Sequence, residues 1–98
     1  MERDGSRSLA QMPEIARVNG VAIAMFYADH NPPHFHARVG EARAMIQIDP
    51  PELIAGFLPD ARMSAVLHWA RVHRAELVAN WRRARRSEPL APITERAQ

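Results

Sequence analysis

The sequence predicts an α+β domain, with a small antiparallel sheet of four to five strands (two hairpins plus a short strand) packed on one or two C-terminal helices. Three observations carry this expectation. Asn19-Gly20 separates the apolar runs IARV and VAIAMFYA, and both residues tolerate the positive φ of a type I′ hairpin turn. Gly40-Glu41 separates HFHARV from ARAMIQI, with glycine at the position where a type II′ turn needs it. Between residues 61 and 86 there is neither proline nor glycine, and Met63, Val66, Leu67, Ala70, Leu77, Val78 and Trp81 recur at helical spacing.

Residues 1–11, MERDGSRSLAQ, are polar and unperiodic, and read as a flexible N-terminal extension ahead of a single domain over residues 12–88. The first hairpin pairs residues 15–18 with 21–28. Its second strand is apolar on both faces, as expected of a central strand covered on two sides, although its alanines make the second covering thin. The second hairpin pairs residues 34–39 with 42–48, and its two-residue loop sets a register in which Val39 faces Ala42, Arg38 faces Arg43, Ala37 faces Ala44, His36 faces Met45, Phe35 faces Ile46 and His34 faces Gln47. One face then carries Phe35, Ala37, Val39, Ala42, Ala44 and Ile46. The other carries His34, His36, Arg38, Arg43, Met45 and Gln47, and is expected to lie open once the helix covers the apolar face. Asp49-Pro50-Pro51 breaks the chain, ELIAGFL makes a short further strand, and Asp60 is the expected N-cap of a helix running to about residue 87. The apolar stripe falters near His73-Arg74, where one helix would become two. Residues 89–98 read as a proline-containing tail.

A chain of 98 residues has room for one domain and one modest core. It contains no cysteine, which excludes a disulfide framework, a thiolate zinc site and a cysteine nucleophile, and fits a cytoplasmic setting. No stretch approaches the roughly 18 apolar residues of a membrane span, so no membrane partner is expected. The pI of about 10.4 suggests a strongly basic protein. All 13 basic residues are arginines set against 11 acids, however, and because arginine does not titrate in the ordinary range a surplus of two inflates the value. The distribution is more informative: residues 62–86 hold Arg62, Arg71, Arg74, Arg82, Arg83, Arg85 and Arg86 against the single acid Glu76. Arg82, Arg83, Arg85 and Arg86 are candidates for RNA or DNA contact. They equally suit a solvated helix end, where cations complement the macrodipole.

The stretch DHNPPHFH carries the candidate chemistry. His34 and His36, two apart in a strand, project to one side with Cβ atoms roughly 6 to 7 Å apart. Two imidazoles so placed can meet one metal ion, zinc or manganese, with His30 folding back across Pro32-Pro33 and Asp29 as a carboxylate ligand or as the partner that fixes a tautomer. Free of metal, His34 and His36 could serve as acid and base in phosphodiester cleavage. A third reading makes them turn-associated histidines without further role. Arg38 opposite Arg43 is a like-charge pair across two strands, which a bound phosphate or carboxylate, or equally a salt bridge to Glu41, would relieve, with Gln47 on the same face.

The segments MPEIARVNG, FYADHNPPHFHARVGEARA and HWARVHRAELVANWRRA resemble a family of small bacterial proteins catalogued as domain of unknown function 4160, over roughly residues 12–88. The resemblance implies one member of a two-gene module beside a cognate small protein, an arrangement often proposed to be a toxin-antitoxin system. The expectation is therefore a small cytoplasmic binding module that acts with a protein partner and uses its His/Arg sheet face to bind an anion or nucleic-acid phosphate. The alternative is a ribonuclease or metal-dependent phosphodiesterase built on His34 and His36. Exposed sheet edges would also suit a homodimer.

Overall fold

The computed structural model describes residues 13–94. The N-terminal extension and the last four residues of the tail lie outside the described residues. Five strands, β1 (Glu14–Val18), β2 (Val21–Ala24), β3 (His34–Val39), β4 (Ala42–Gln47) and β5 (Glu52–Gly56), are followed by two helices, α1 (Asp60–Val72) and α2 (Arg74–Arg85). The strands form one antiparallel sheet in chain order, β1-β2-β3-β4-β5. The fold is α+β.

Turn chemistry accounts for the two hairpins. Asn19 and Gly20 both take positive φ, 49° and 80°, as a type I′ turn requires, while in the second turn Gly40 alone does, at 57°. The β3–β4 register is the one that the loop dictates, from His34↔Gln47 through Arg38↔Arg43 to Val39↔Ala42. One sheet face therefore gathers Val21, Ile23, Phe35, Ala37, Ala44 and Ile46, all buried, under the helices. Trp69 of α1 meets Phe35 edge-on, with ring centroids 6.0 Å apart, and Val66, Ala70, Leu77 and Trp81 complete the core from the helical side.

The helical stretch breaks where its apolar stripe falters. His73 closes α1 by donating its backbone N–H to the Trp69 carbonyl at 2.9 Å, and its own carbonyl accepts from Leu77 N–H at 3.0 Å to start α2. Asp60 is not the N-cap: that position falls to Pro59, whose carbonyl accepts from Met63 N–H at 2.8 Å, and Asp60 sits in the first turn, where a carboxylate still favours the helix dipole. No described helix is long and apolar enough to cross a membrane.

Two further segments shape the domain. The C-terminal segment lies on the domain, with Ile93 buried in the core and its N–H donating to the Ile15 carbonyl at 2.8 Å. Fully buried Asn80 holds that segment, donating to the Ala91 carbonyl and accepting from the Ala91 N–H, both at 2.8 Å. A buried amide must be paired, and here the partner is backbone 11 residues away in sequence, invisible to any local pattern. The second segment is β5, an edge strand whose five residues are all exposed. At its end Gly56 takes a φ of 80°, and Phe57 N–H donates to the Arg43 carbonyl at 2.9 Å. A Cβ at Gly56 would come within 2.1 Å of that carbonyl oxygen, so only glycine permits the approach.

Candidate functional site

The face away from the helices begins with a correction. His34 projects to it together with His36, as strand alternation demands, but only 4% of His34 is exposed. The cause is non-local. The loop between β2 and β3 is pinned to α2 by Ala28 N–H donating to the Ala84 carbonyl at 3.2 Å, and Trp81 comes within 5.3 Å of the His34 ring. The end of β3 is thereby roofed, and the open surface starts at His36.

The same loop returns Asp29 to the two histidines. Ala28 takes a φ of 56°, a left-handed conformation uncommon for alanine, at the residue before Asp29. The Asp29 Oδ2 lies 2.9 Å from His34 Nε2 and 3.2 Å from His36 Nε2, while Oδ1 accepts from the His30 backbone N–H at 2.8 Å. His34 Nδ1 donates to the Pro32 carbonyl at 2.7 Å. The His36 ring is stacked on Phe26, with centroids 4.1 Å apart and planes within 9°.

These contacts restrict the protonation states. A carbonyl and a carboxylate only accept, so each His34 ring nitrogen faces an acceptor. Burial pulls the Asp29 carboxyl upward, but the His30 N–H, the hydrogen bond to His36 and the nearby histidine charge outweigh it and hold the group below the usual carboxylate range. Burial pushes the His36 imidazole down, and the His34 charge adds to this against the pull of Asp29. The metal-free cluster is thus an Asp29 carboxylate shared by two imidazoles, of which burial favours the neutral form of His36.

One ligand atom from each of Asp29, His34 and His36 lies within 4.8 Å of the others, a triad able to hold a metal ion. The donor set fits: two imidazole nitrogens and a carboxylate oxygen suit zinc or manganese, and bonds of about 2.0–2.2 Å place ligand atoms roughly 3 to 3.5 Å apart, close to the 2.9 and 3.2 Å seen here. The Pro32 carbonyl fixes the tautomer that leaves His34 Nε2 for the ion, as in many metal centres.

Beyond His36 the open face hollows into a concavity of about 540 Å³ whose lining includes Ala22, Ala24, Phe26, His36, Arg38 and Arg43. The hollow follows from sequence: β2 places alanine at alternate positions on this face, opposite Arg38 and His36 of β3. Arg38 and Arg43 stand directly opposite one another and are both exposed.

The remaining expected site residues are placed elsewhere. His30 is exposed and approaches Asp29 only through its backbone N–H, so it is outside the triad. Gln47 turns to the β4–β5 connection, donating to the Pro50 carbonyl at 3.1 Å and approaching the Glu52 carboxylate at 3.5 Å. Of the helix-end arginines, Arg83 donates to Asn80 Oδ1 at 2.9 Å and the Arg85 guanidinium lies 5.9 Å from the Trp81 ring centre, whereas Arg82 and Arg86 point to solvent with Arg85. Phe26, Trp81 and the Pro32 carbonyl join the site without a local sequence pattern that marks them. Only the alanine alternation of β2 signalled any of this beforehand, as the thin second covering.

A small α+β module with a carboxylate–histidine cluster at the rim of a concave, arginine-bearing sheet face is the class that fold and site define. The chain belongs to the family described as Domain of unknown function (DUF4160), whose sequence model matches residues 20–82. No curated protein and no solved structure matches the chain.

Proposed function

We propose that this protein is a metal-assisted binding module for phosphate-bearing ligands, working with a small protein partner in a toxin-antitoxin-type pair. The observation that carries the ligand reading is the concavity, with Arg38 opposite Arg43 toward one end and His36 of the Asp29–His34–His36 triad at the other. Paired guanidinium forks suit phosphate oxygens, and a divalent zinc or manganese ion on the triad would add a second positive centre. For the partner, the support is the gene context that the resemblance implies, together with exposed Leu53, Ile54 and Phe57 on and beside β5.

The test is binding of labelled RNA against salt concentration, with and without metal. Replacing Arg38 and Arg43 by glutamine is expected to weaken binding and flatten the salt dependence by about 0.7 in slope for each lost phosphate contact. Affinity that ignores both the arginines and salt would overturn the reading.

The triad itself favours a second reading, a metal-dependent phosphodiesterase. Three protein ligands leave a position where a metal-bound water could attack phosphorus. RNA cleaved by the wild type and spared by the His34→Ala/His36→Ala double variant would support it, and equal cleavage or none by either would leave the binding module alone.

A further inference from the structure

We infer that the concave face takes a nucleoside monophosphate unit, with its terminal phosphate on Arg38 and Arg43 and its flat ring laid over the alanines of β2; this rests on the phosphate-binding reading above. The argument begins with charge. A phosphate monoester carries about −1.5 to −2 near neutral pH, whereas an internal phosphodiester or a carboxylate carries a single charge. Two arginines directly opposite across a strand pair, with Cβ atoms about 4.5 to 5.5 Å apart, present two charges to one small volume. That arrangement matches a dianion. Glu14 on the facing wall is bound by Arg17 at 2.6 Å and feels Arg38 only as a weaker, non-bonded attraction, so most of its charge is answered away from the arginine pair.

The shape of the hollow supplies the rest. Its floor at β2 is made of Ala22 and Ala24, methyl groups without hydrogen-bonding capacity, which can meet the face of a flat ring but cannot read its edge. Phe26, stacked on His36, raises an aromatic wall beside them. The volume of about 540 Å³ lies inside the range of roughly 300–1,000 Å³ typical of small-ligand sites. Along β3, His36 and Arg38 are two residues apart, about 6.6 Å, so a ligand with phosphate on the arginines reaches the triad with atoms beyond its phosphate. Sugar hydroxyls would supply oxygen donors there. Inorganic phosphate could fill only the arginine end.

A free nucleotide and the 5′-phosphorylated end of an RNA chain share this chemistry. Titration calorimetry on the full chain, loaded with manganese, separates them with inorganic phosphate, adenosine, AMP, UMP, and one tetranucleotide RNA in 5′-phosphate and 5′-hydroxyl forms. AMP or UMP is expected to bind at least about tenfold more tightly than inorganic phosphate or adenosine. If the 5′-phosphorylated RNA matches them, the source is a chain end; if it does not, the source is the free nucleotide. Ala24→Leu should fill the hollow and abolish the advantage of nucleotide over phosphate while phosphate binding persists. Ala22→Val repeats the test with a smaller addition if the leucine variant fails to give a cooperative melt. Equal affinity for AMP and inorganic phosphate, or binding of both RNA forms as tight as that of AMP, overturns this inference and leaves the phosphate-binding reading standing. No binding of any phosphate compound, RNA included, overturns both.

Discussion

Replacing Asp29 by asparagine keeps the shape of the cluster and changes its charge, so its cost can be worked from the contacts. The carboxylate accepts from His34 Nε2 at 2.9 Å and His36 Nε2 at 3.2 Å through one oxygen, and from His30 N–H at 2.8 Å through the other. An amide retains a single oxygen. If that oxygen faces the histidines, the NH₂ meets the His30 N–H; if it faces His30, the NH₂ meets two imidazole donors. Either orientation leaves donor against donor. A hydrogen bond to a charged group contributes about 1.5–3 kcal/mol. His34 is 5% exposed at the side chain and cannot turn to water, but Asp29 is 18% exposed and partly screened, so we take about 2 kcal/mol, within that range. For a domain of this size that corresponds to roughly 8 to 16 °C in Tm. In chelator, a circular-dichroism melt of the variant should fall by that amount. In zinc or manganese at about a hundred times Kd, the wild type should gain about 2.7 kcal/mol, on the order of 10 °C or more, and the variant much less because one ligand is gone. A variant that melts within about 2 °C of wild type in chelator would refute the shared-carboxylate geometry, and one with an undiminished metal response would refute Asp29 as a ligand.

Three further outcomes follow from single contacts. Gly56→Ala should cost about 3 kcal/mol or more, since it combines a left-handed φ with a methyl driven into the Arg43 carbonyl, and the loss is read in urea midpoints. Asn80→Ala strands the Ala91 N–H and carbonyl and should lower stability by about 2–3 kcal/mol, with amide exchange rising first at Ala91 and Ile93. His30→Ala should leave the metal-induced rise in Tm unchanged, because only the backbone of His30 touches the cluster; loss of that rise would return the imidazole to the ligand set.

What was legible beforehand was what local geometry dictates. Asn19-Gly20 and Gly40-Glu41 specify their turns, a two-residue loop admits one register, and period-two alternation then assigns each side chain of β3 and β4 to a face. The break at His73 was legible for a similar reason, since the stripe of apolar residues lapses there. What stayed hidden depends on segments distant in sequence. His34 obeys the alternation yet is buried, because Trp81 and the Ala28 contact to α2 close over the end of its strand. The return of Asp29 rests on a left-handed alanine that no propensity favours, and the exclusion of His30 follows from the same turn. The C-terminal segment reads as a proline-containing tail because its anchor is a buried asparagine on α2. The site was thus half visible: the histidines and the arginine pair could be found, but neither the orientation of the carboxylate nor the aromatic neighbours could.

The two borders of the sheet are unequal. Along β1 the C-terminal segment already occupies the Ile15 carbonyl, whereas β5 has no such neighbour among the described residues and exposes Leu53 and Ile54. Joining two copies at β5 would use up the seam left open on each among the described residues, and would turn outward the β1 borders, where the Ile15 carbonyl is already taken.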